Sequence, residues 1–208
     1  MGNHQLLLNK VIEQFAATAP ENLGASELYE YFVTTQVFKD LDLSPDELID
    51  GITDGSGDGG IDAFFAFANE NLIQPDSDMS NLPKGFSLDL YFIQAKTEEA
   101  FGESALDKMK ISIPELLDLT QPINATLYSP AIIERLEVVR KFLSSAAHLF
   151  PKVQVNIVYA SKGSTAAINR RVLNKQTALI NAIEKSFEGC TVNLEFIGAK
   201  ELHELAAK

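Results

Sequence analysis

The sequence predicts an α/β fold with a mixed central β-sheet flanked by helices, and three observations carry that prediction. Two strand-length runs, Ile61–Phe67 and Leu88–Lys96, are aromatic or almost continuously apolar, as in strands covered on both faces. The segments before and after them space apolar residues at helical intervals. Downstream, helical patterns alternate with two further strand-like runs, the arrangement that builds crossover units onto a sheet.

Taken in order, Leu7, Leu8, Val11, Ile12 and Phe15 predict a first helix over residues 4–17, ended by Pro20-Glu21-Asn22. A second helix is expected from Ser26, as its cap, through Tyr29, Phe32, Val33, Gln36 and Val37. Ser44-Pro45-Asp46-Glu47 is a helix-start pattern, but glycines follow so soon that a single turn and then a short strand near Ile49–Ile52 are expected. Residues 51–60 hold five glycines and read as a tight turn. Residues 70–87, with Pro75, Asp76, Asp78, Pro83 and Gly85, read as an exposed hairpin loop and the best candidate for a mobile segment.

Beyond Lys96, helices are expected over 104–119, broken by Pro114, and over 131–150, followed by a strand at 153–160. A helix over 166–187, a strand at 192–197 and a short terminal helix complete the chain. No internal repeat or low-complexity tract divides the 208 residues, so one domain is expected, with a helical start (1–24), an αβββαβ core (25–160) and an α/β extension (161–208).

At 46% hydrophobic and 22% charged residues, the composition is that of a soluble globular chain. No apolar run approaches the roughly 18 residues of a membrane helix, and Met1 leads into Gly-Asn-His rather than a signal segment. A cytoplasmic location with no membrane partner is expected. The lone Cys190 excludes an intrachain disulfide and reads as a small residue packed beside a strand. His4, His148 and His203 lie far apart and read as structural or surface residues.

The net charge of −12 argues against a chain that grips nucleic acid by its overall field. The distribution is uneven, however. From Asp40 to Asp89 there are twelve carboxylates against Lys84 alone. From Arg135 to Lys175 the bases Arg135, Arg140, Lys141, Lys152, Lys162, Arg170, Arg171 and Lys175 face only Glu137. One stretch suits cations and the other phosphates, or the two are merely solvated surfaces of opposite sign.

Chemistry concentrates at two places. In Gln94-Ala95-Lys96, side chains two apart on a strand project to one face, setting an amide oxygen beside an ammonium with the Ala95 carbonyl between them. Asp62 opens the preceding strand, after glycines that would let a substrate backbone come close. A carboxylate, an amide oxygen and a backbone carbonyl are hard oxygen donors of the kind Mg²⁺ or Mn²⁺ accepts. The Gly55-x-Gly57-x-x-Gly60 spacing imitates a dinucleotide loop but lacks the helix that should follow. The run beginning Asp54-x-Ser56-x-Asp58-Gly59 imitates a calcium loop, but its twelfth position is Phe65 instead of Glu.

Asp-Gly-Ser-Gly-Asp-Gly-Gly-Ile-Asp (54–62) and Tyr-Phe-Ile-Gln-Ala-Lys (91–96) resemble the active-site signature of Mrr-like PD-(D/E)XK nucleases, in which Gln replaces the usual acid of the third motif. More narrowly, the chain resembles the N-terminal nuclease region of the AIPR family of abortive-infection phage-resistance proteins. The resemblance runs from about Glu27 to the last strand. It implies a restriction-endonuclease-like core, a Mg²⁺ or Mn²⁺ cofactor, and hydrolysis of phosphodiester bonds with DNA favoured over RNA; against the family's long C-terminal part the chain is either a fragment or a shortened relative, and a homodimer is one open assembly.

It also implies a glutamate on the helix before the sheet, for which Glu30 in Tyr29-Glu30-Tyr31 is the match, with Glu27 one turn away. Metal ligands would then be Asp62, Gln94, the Ala95 carbonyl and Glu30, with Asp58 either a turn residue or a group behind the ligands. Lys96 is expected to position water and stabilise charge; acting as a base would need a depressed pKa, on which carboxylates and metal pull in opposite directions. Arg135, Arg140, Lys141, Lys162, Arg170 and Arg171 are candidate phosphate contacts. The rival reading keeps the fold but not the activity, with Asp62 and Lys96 as a buried ion pair in a nucleic-acid-binding or assembly module. A metal-stabilised interaction domain is the more distant one.

Overall fold

A computed structural model describes residues 2–53 and 57–208. Asp54, Gly55 and Ser56, inside the segment expected to form the tight turn, lie outside the described residues, as does Met1.

Helix α1 (Asn3–Phe15) starts where Gln5 turns its side chain back to the Gly2 N–H, and it buries Leu8 and Ile12. Helix α2 (Ala25–Val37) begins one residue before the expected cap, because Glu27 reaches back to the Gly24 N–H at 2.5 Å. Ser26 instead donates to the Glu30 carboxylate at 3.1 Å.

The strand expected near Ile49–Ile52 is a helix, α3 (Pro45–Gly51). Ser44 and Glu47 form a reciprocal capping box, Glu47 accepting from the Ser44 N–H and hydroxyl at 2.8 Å each and the Ser44 hydroxyl accepting from the Glu47 N–H. Pro45 sits ready for the first turn, so the start signal outweighs the glycines after it. Only Ile52 keeps a strand contact, a single antiparallel bridge to Ala63.

Strand β1 (Ala63–Ala68) is buried throughout, and a two-residue strand β2 (Asn71–Leu72) folds back on its end. Strand β3 (Ser87–Lys96) pairs antiparallel with β1 from Ala63↔Ile93 to Ala68↔Leu88. Helix α4 (Glu103–Leu117) runs through Pro114 without the expected break. Helix α5 (Pro130–Ala146) stops four residues short of the expected end, in a 3-10 turn and then Phe150 at a left-handed φ of 54°.

Strand β4 (Lys152–Ser161) lies parallel to β3 in the register Gln94↔Tyr159 and Lys96↔Ser161. Helix α6 (Arg170–Ser186), preceded by a 3-10 turn at Thr165–Ala167, crosses over to β5 (Thr191–Ile197), which is parallel to β4. Helix α7 (Ala199–Ala206) follows. The strand order β2-β1-β3-β4-β5 makes one mixed five-stranded sheet.

Each face of the sheet carries its own apolar layer. Phe64, Leu90, Phe92, Val155 and Ile157 pack with α4, α5 and α6 on one side. Phe65, Phe67, Ile93, Ala95 and Val158 pack with α1, α2 and α7 on the other. Alternate side chains of the same strands therefore feed two cores, which is why the strands read as unbroken hydrophobic runs. Among the described residues no helix is long and apolar enough to cross a membrane.

Gly51 lies directly under the Phe65 ring, where an added Cβ would sit 1.8 Å from the ring carbon Cζ. Gly51→Ala is expected to lower unfolding free energy by about 1–3 kcal/mol, because the ring must leave its place between α3 and the sheet to admit the methyl group. Urea denaturation followed by circular dichroism measures it.

Candidate functional site

The antiparallel pairing of β1 and β3 ends at Ala63, one residue after Asp62, whose N–H still reaches the Ile93 carbonyl at 2.8 Å. Asp62 is thereby held against the last residues of β3 with its side chain 6% exposed. Its Oδ2 accepts from the Ala95 N–H at 2.8 Å and from the Gln94 side-chain amide, and the Lys96 ammonium stands 3.6 Å away. Sequence-distant Asp62 and the Gln94-Ala95-Lys96 triplet are thus one cluster.

Its position follows from topology. Strands β3, β4 and β5 are parallel, so Lys96, Ser161 and Ile197 all finish at the end of the sheet where Asp62 begins β1. Open α/β sheets bind ligands outside these carboxyl ends. Backbone polar groups of β3 alternate in direction, and both the Ile93 carbonyl and the Ala95 N–H point toward β1. The Ala95 carbonyl accordingly points past the place where β1 stops.

Burial is the largest influence on Asp62 and raises its pKa; Lys96 and the Ala95 N–H oppose this, the charge of Asp58 adds to it, and the Gln94 amide opposes it again. Asp58 is itself a turn residue, its carboxylate accepting the Gly60 N–H at 2.7 Å. It therefore serves the turn and also acts on Asp62 through charge.

Gly59 and Gly60, just before Asp62, have a structural cause. Gly59 and Gly60 adopt φ of +66° and +85°, and α4 fills the space beside them. A Cβ on Gly59 would lie 2.7 Å from Ser112 Cβ, and one on Gly60 would lie 3.0 Å from Lys108 Cβ. The Ser112 hydroxyl donates to the Gly59 carbonyl at 2.6 Å. The close approach that the glycines permit in this structure is that of helix α4.

Glu30 is buried at 8% exposure on α2, where the Thr34 hydroxyl donates to its carbonyl. The neighbouring Tyr29 ring lies beneath the Lys162 ammonium, which is 5.3 Å from its centroid. Burial and the charge of Glu98 push the Tyr29 hydroxyl well above its ordinary pKa. Glu98 also acts on Tyr159, which responds to Lys96 and Asp62 as well. These neighbours place the first turns of α2 at the end of the sheet that holds Asp62.

Tyr159, Glu98 and Lys108 belong to this end of the molecule and were not legible as site residues. The Tyr159 hydroxyl accepts the Gly102 N–H at 2.9 Å, and Tyr159 pairs in register with Gln94. No spacing in the sequence reveals which later strand will lie beside β3.

The basic stretch does not assemble as one phosphate surface. Arg140 is buried, donating to the Asp118 carbonyl at 2.6 Å and to that of Gln121, so it pins the α4–α5 connection. Arg135 is half-buried in a cavity beside α3. Lys162 is tied to Asn9 at 2.9 Å. Lys141 is exposed on α5, and Arg170 and Arg171 are exposed on the first turn of α6, which starts beyond the carboxyl end of β4.

No family model, curated protein or solved structure matches this chain. The resemblance to Mrr-like nucleases therefore stands on residues 54–62 and 91–96 alone.

Because folding raises the Asp62 pKa, the native chain holds its proton more tightly than the unfolded one. The group's contribution is fully present below the ordinary carboxylate pKa of about 3.9 and is lost as pH rises through its higher folded value. Asp62→Asn, which keeps the shape and removes the charge, is expected to raise the urea midpoint at pH 7 in chelator. The advantage should vanish toward pH 4.

Proposed function

We propose that this chain is a divalent-metal-dependent nuclease that hydrolyses phosphodiester bonds, with Asp62, Gln94, Ala95 and Lys96 as its working groups. The observation that supports it most is the convergence of a desolvated carboxylate, an amide, an outward backbone carbonyl and an ammonium where the parallel strands end. DNA over RNA, a phage-defence or restriction setting and membership of the abortive-infection family rest on the motif resemblance.

The donor set suits a hard cation, but sparsely. Among the described residues no three His, Cys, Asp or Glu side chains group together, so an amide and a carbonyl must supplement Asp62. Gln94 presents its NH₂ to Asp62, so its oxygen becomes available only after the amide turns over. Glu30, on α2 at the same end, is the carboxylate proposed to complete the set.

A bound Mg²⁺ or Mn²⁺ would supply an activated water and neutralise charge on the phosphate. The chain does the rest. Asp62 and the Ala95 carbonyl hold position because β1 and β3 hold them, and Gln94 is fixed by the same strand. Lys96, 38% exposed and 3.6 Å from Asp62, is placed to pair with a phosphate oxygen as charge develops. It is proposed as a cation and not as a base.

One observation favours the inactive reading. Asp62 already has donors from Gln94, Ala95 and Lys96, which is how a structural carboxylate is satisfied without an ion. Incubation of plasmid, single-stranded DNA and RNA with the protein and Mn²⁺ separates the two. The nuclease reading expects cleavage that chelator abolishes and that Asp62→Ala and Lys96→Ala each reduce about 100-fold or more. Cleavage equal in wild type and both variants, or none, overturns it. Mn²⁺ is also expected to raise the melting temperature of wild type but not of Asp62→Ala, because an ion held by the native site stabilises by mass action.

A further inference from the structure

A cavity of about 440 Å³ lies beside the middle of β1, at the outer edge of the sheet between α3 and α5. Strand β2 covers only Phe67 and Ala68, and Ile52 bridges Ala63, so the middle of β1 faces this space without a strand partner. Leu72, Ala131 and Val138, each partly exposed, give it an apolar lining in front of the buried Phe64, Phe65 and Val139, and the volume is in the range that encloses a small ligand.

Charges of both signs line it. Arg135, on α5, is half-buried and has no carboxylate within 4.0 Å among the described residues. Of its five donors, Nη1 alone is engaged, by the Ala131 carbonyl at 3.1 Å. Burial lowers its pKa, while Asp50 and Glu134 act on it from beyond contact distance. A half-buried guanidinium with most of its donors uncommitted is a site for a carboxylate. Asp50, on α3, lines the same cavity and is exposed, with no ion-pair partner within 4.0 Å among the described residues. A purely anionic ligand would meet Glu47, Asp50 and Glu134, and a purely cationic one would leave the Arg135 donors unpaired.

We propose that the cavity binds a free zwitterionic amino acid with an apolar side chain, its carboxylate on Arg135, its ammonium on Asp50 and its side chain against Leu72, Ala131 and Val138. Both poles are then paired and the apolar body is removed from water. The inference is independent of the nuclease reading, since none of its residues belongs to the Asp62 cluster.

Calorimetric titration of the full chain with L-phenylalanine and L-leucine tests it, beside phenethylamine and 3-phenylpropionate, each of which keeps one pole. At least one amino acid should bind, with both single-pole analogues weaker by about tenfold or more, which is the loss of about 1.4 kcal/mol. Arg135→Gln and Asp50→Asn should each remove that preference, whereas Asp62→Ala should bind as wild type does. Val138→Trp, from a partly exposed lining position, should fill the cavity and abolish binding while circular dichroism shows the fold intact. No heat from either amino acid at 10-millimolar order concentrations, or a single-pole analogue binding as tightly, overturns the proposal.

Discussion

A carboxylate withdrawn from water must be surrounded by donors or surrender its charge, and Asp62 meets that demand only because two strands stop at different places. Strand β1 ceases to pair at Ala63 while β3 continues through Lys96, so the last backbone N–H of β3 on that side has no strand to bond. The Asp62 side chain takes the place of the missing strand by accepting the Ala95 N–H. A hydrogen bond that would otherwise belong to the sheet is thus lent to a titratable group. Gln94 and Lys96 are drawn to the same oxygen because the strand delivers them there.

The two faces of the sheet explain why that arrangement is rigid. Ala95 sends its small side chain into the layer of α1, α2 and α7, and Phe92 sends its ring into the layer of α4, α5 and α6. The polar residues at the end of β3 are continuous with a strand that is fixed from both sides. Charge follows a similar logic in the basic half of the chain, where burial consumes Arg140 as an internal clamp on two carbonyls. The residues that remain exposed are fewer than the count of bases suggests.

The strands carrying the candidate site were legible because their apolar runs are long and end abruptly in polar residues, as at Ile93-Gln94. The association of Asp62 with Gln94 and Lys96 was legible too, since a hairpin between those runs brings the residues together. What was not legible depends on contacts distant in sequence. The segment after Ser44 reads as a turn and strand because five glycines nearby weigh against a helix, yet the Ser44–Glu47 capping box and the packing of Gly51 under Phe65 stabilise one. Pro114 leaves α4 intact because Ile113, Leu116 and Leu117, on either side of it, are buried in one core. Tyr159 could be placed beside Gln94 only once the parallel register of β4 was known.

The turn that precedes Asp62 has no slack. Gly59 and Gly60 leave room for Ser112 and Lys108 and for nothing more, and a hydroxyl of α4 is bonded to the turn's own backbone. Helix α4 is in turn fastened to α6 by Asp107 and Lys175 at 2.7 Å. The packing of α4 and the position of the Asp62 carboxylate are therefore set by the same few contacts, so a side chain added at either glycine would be felt at both.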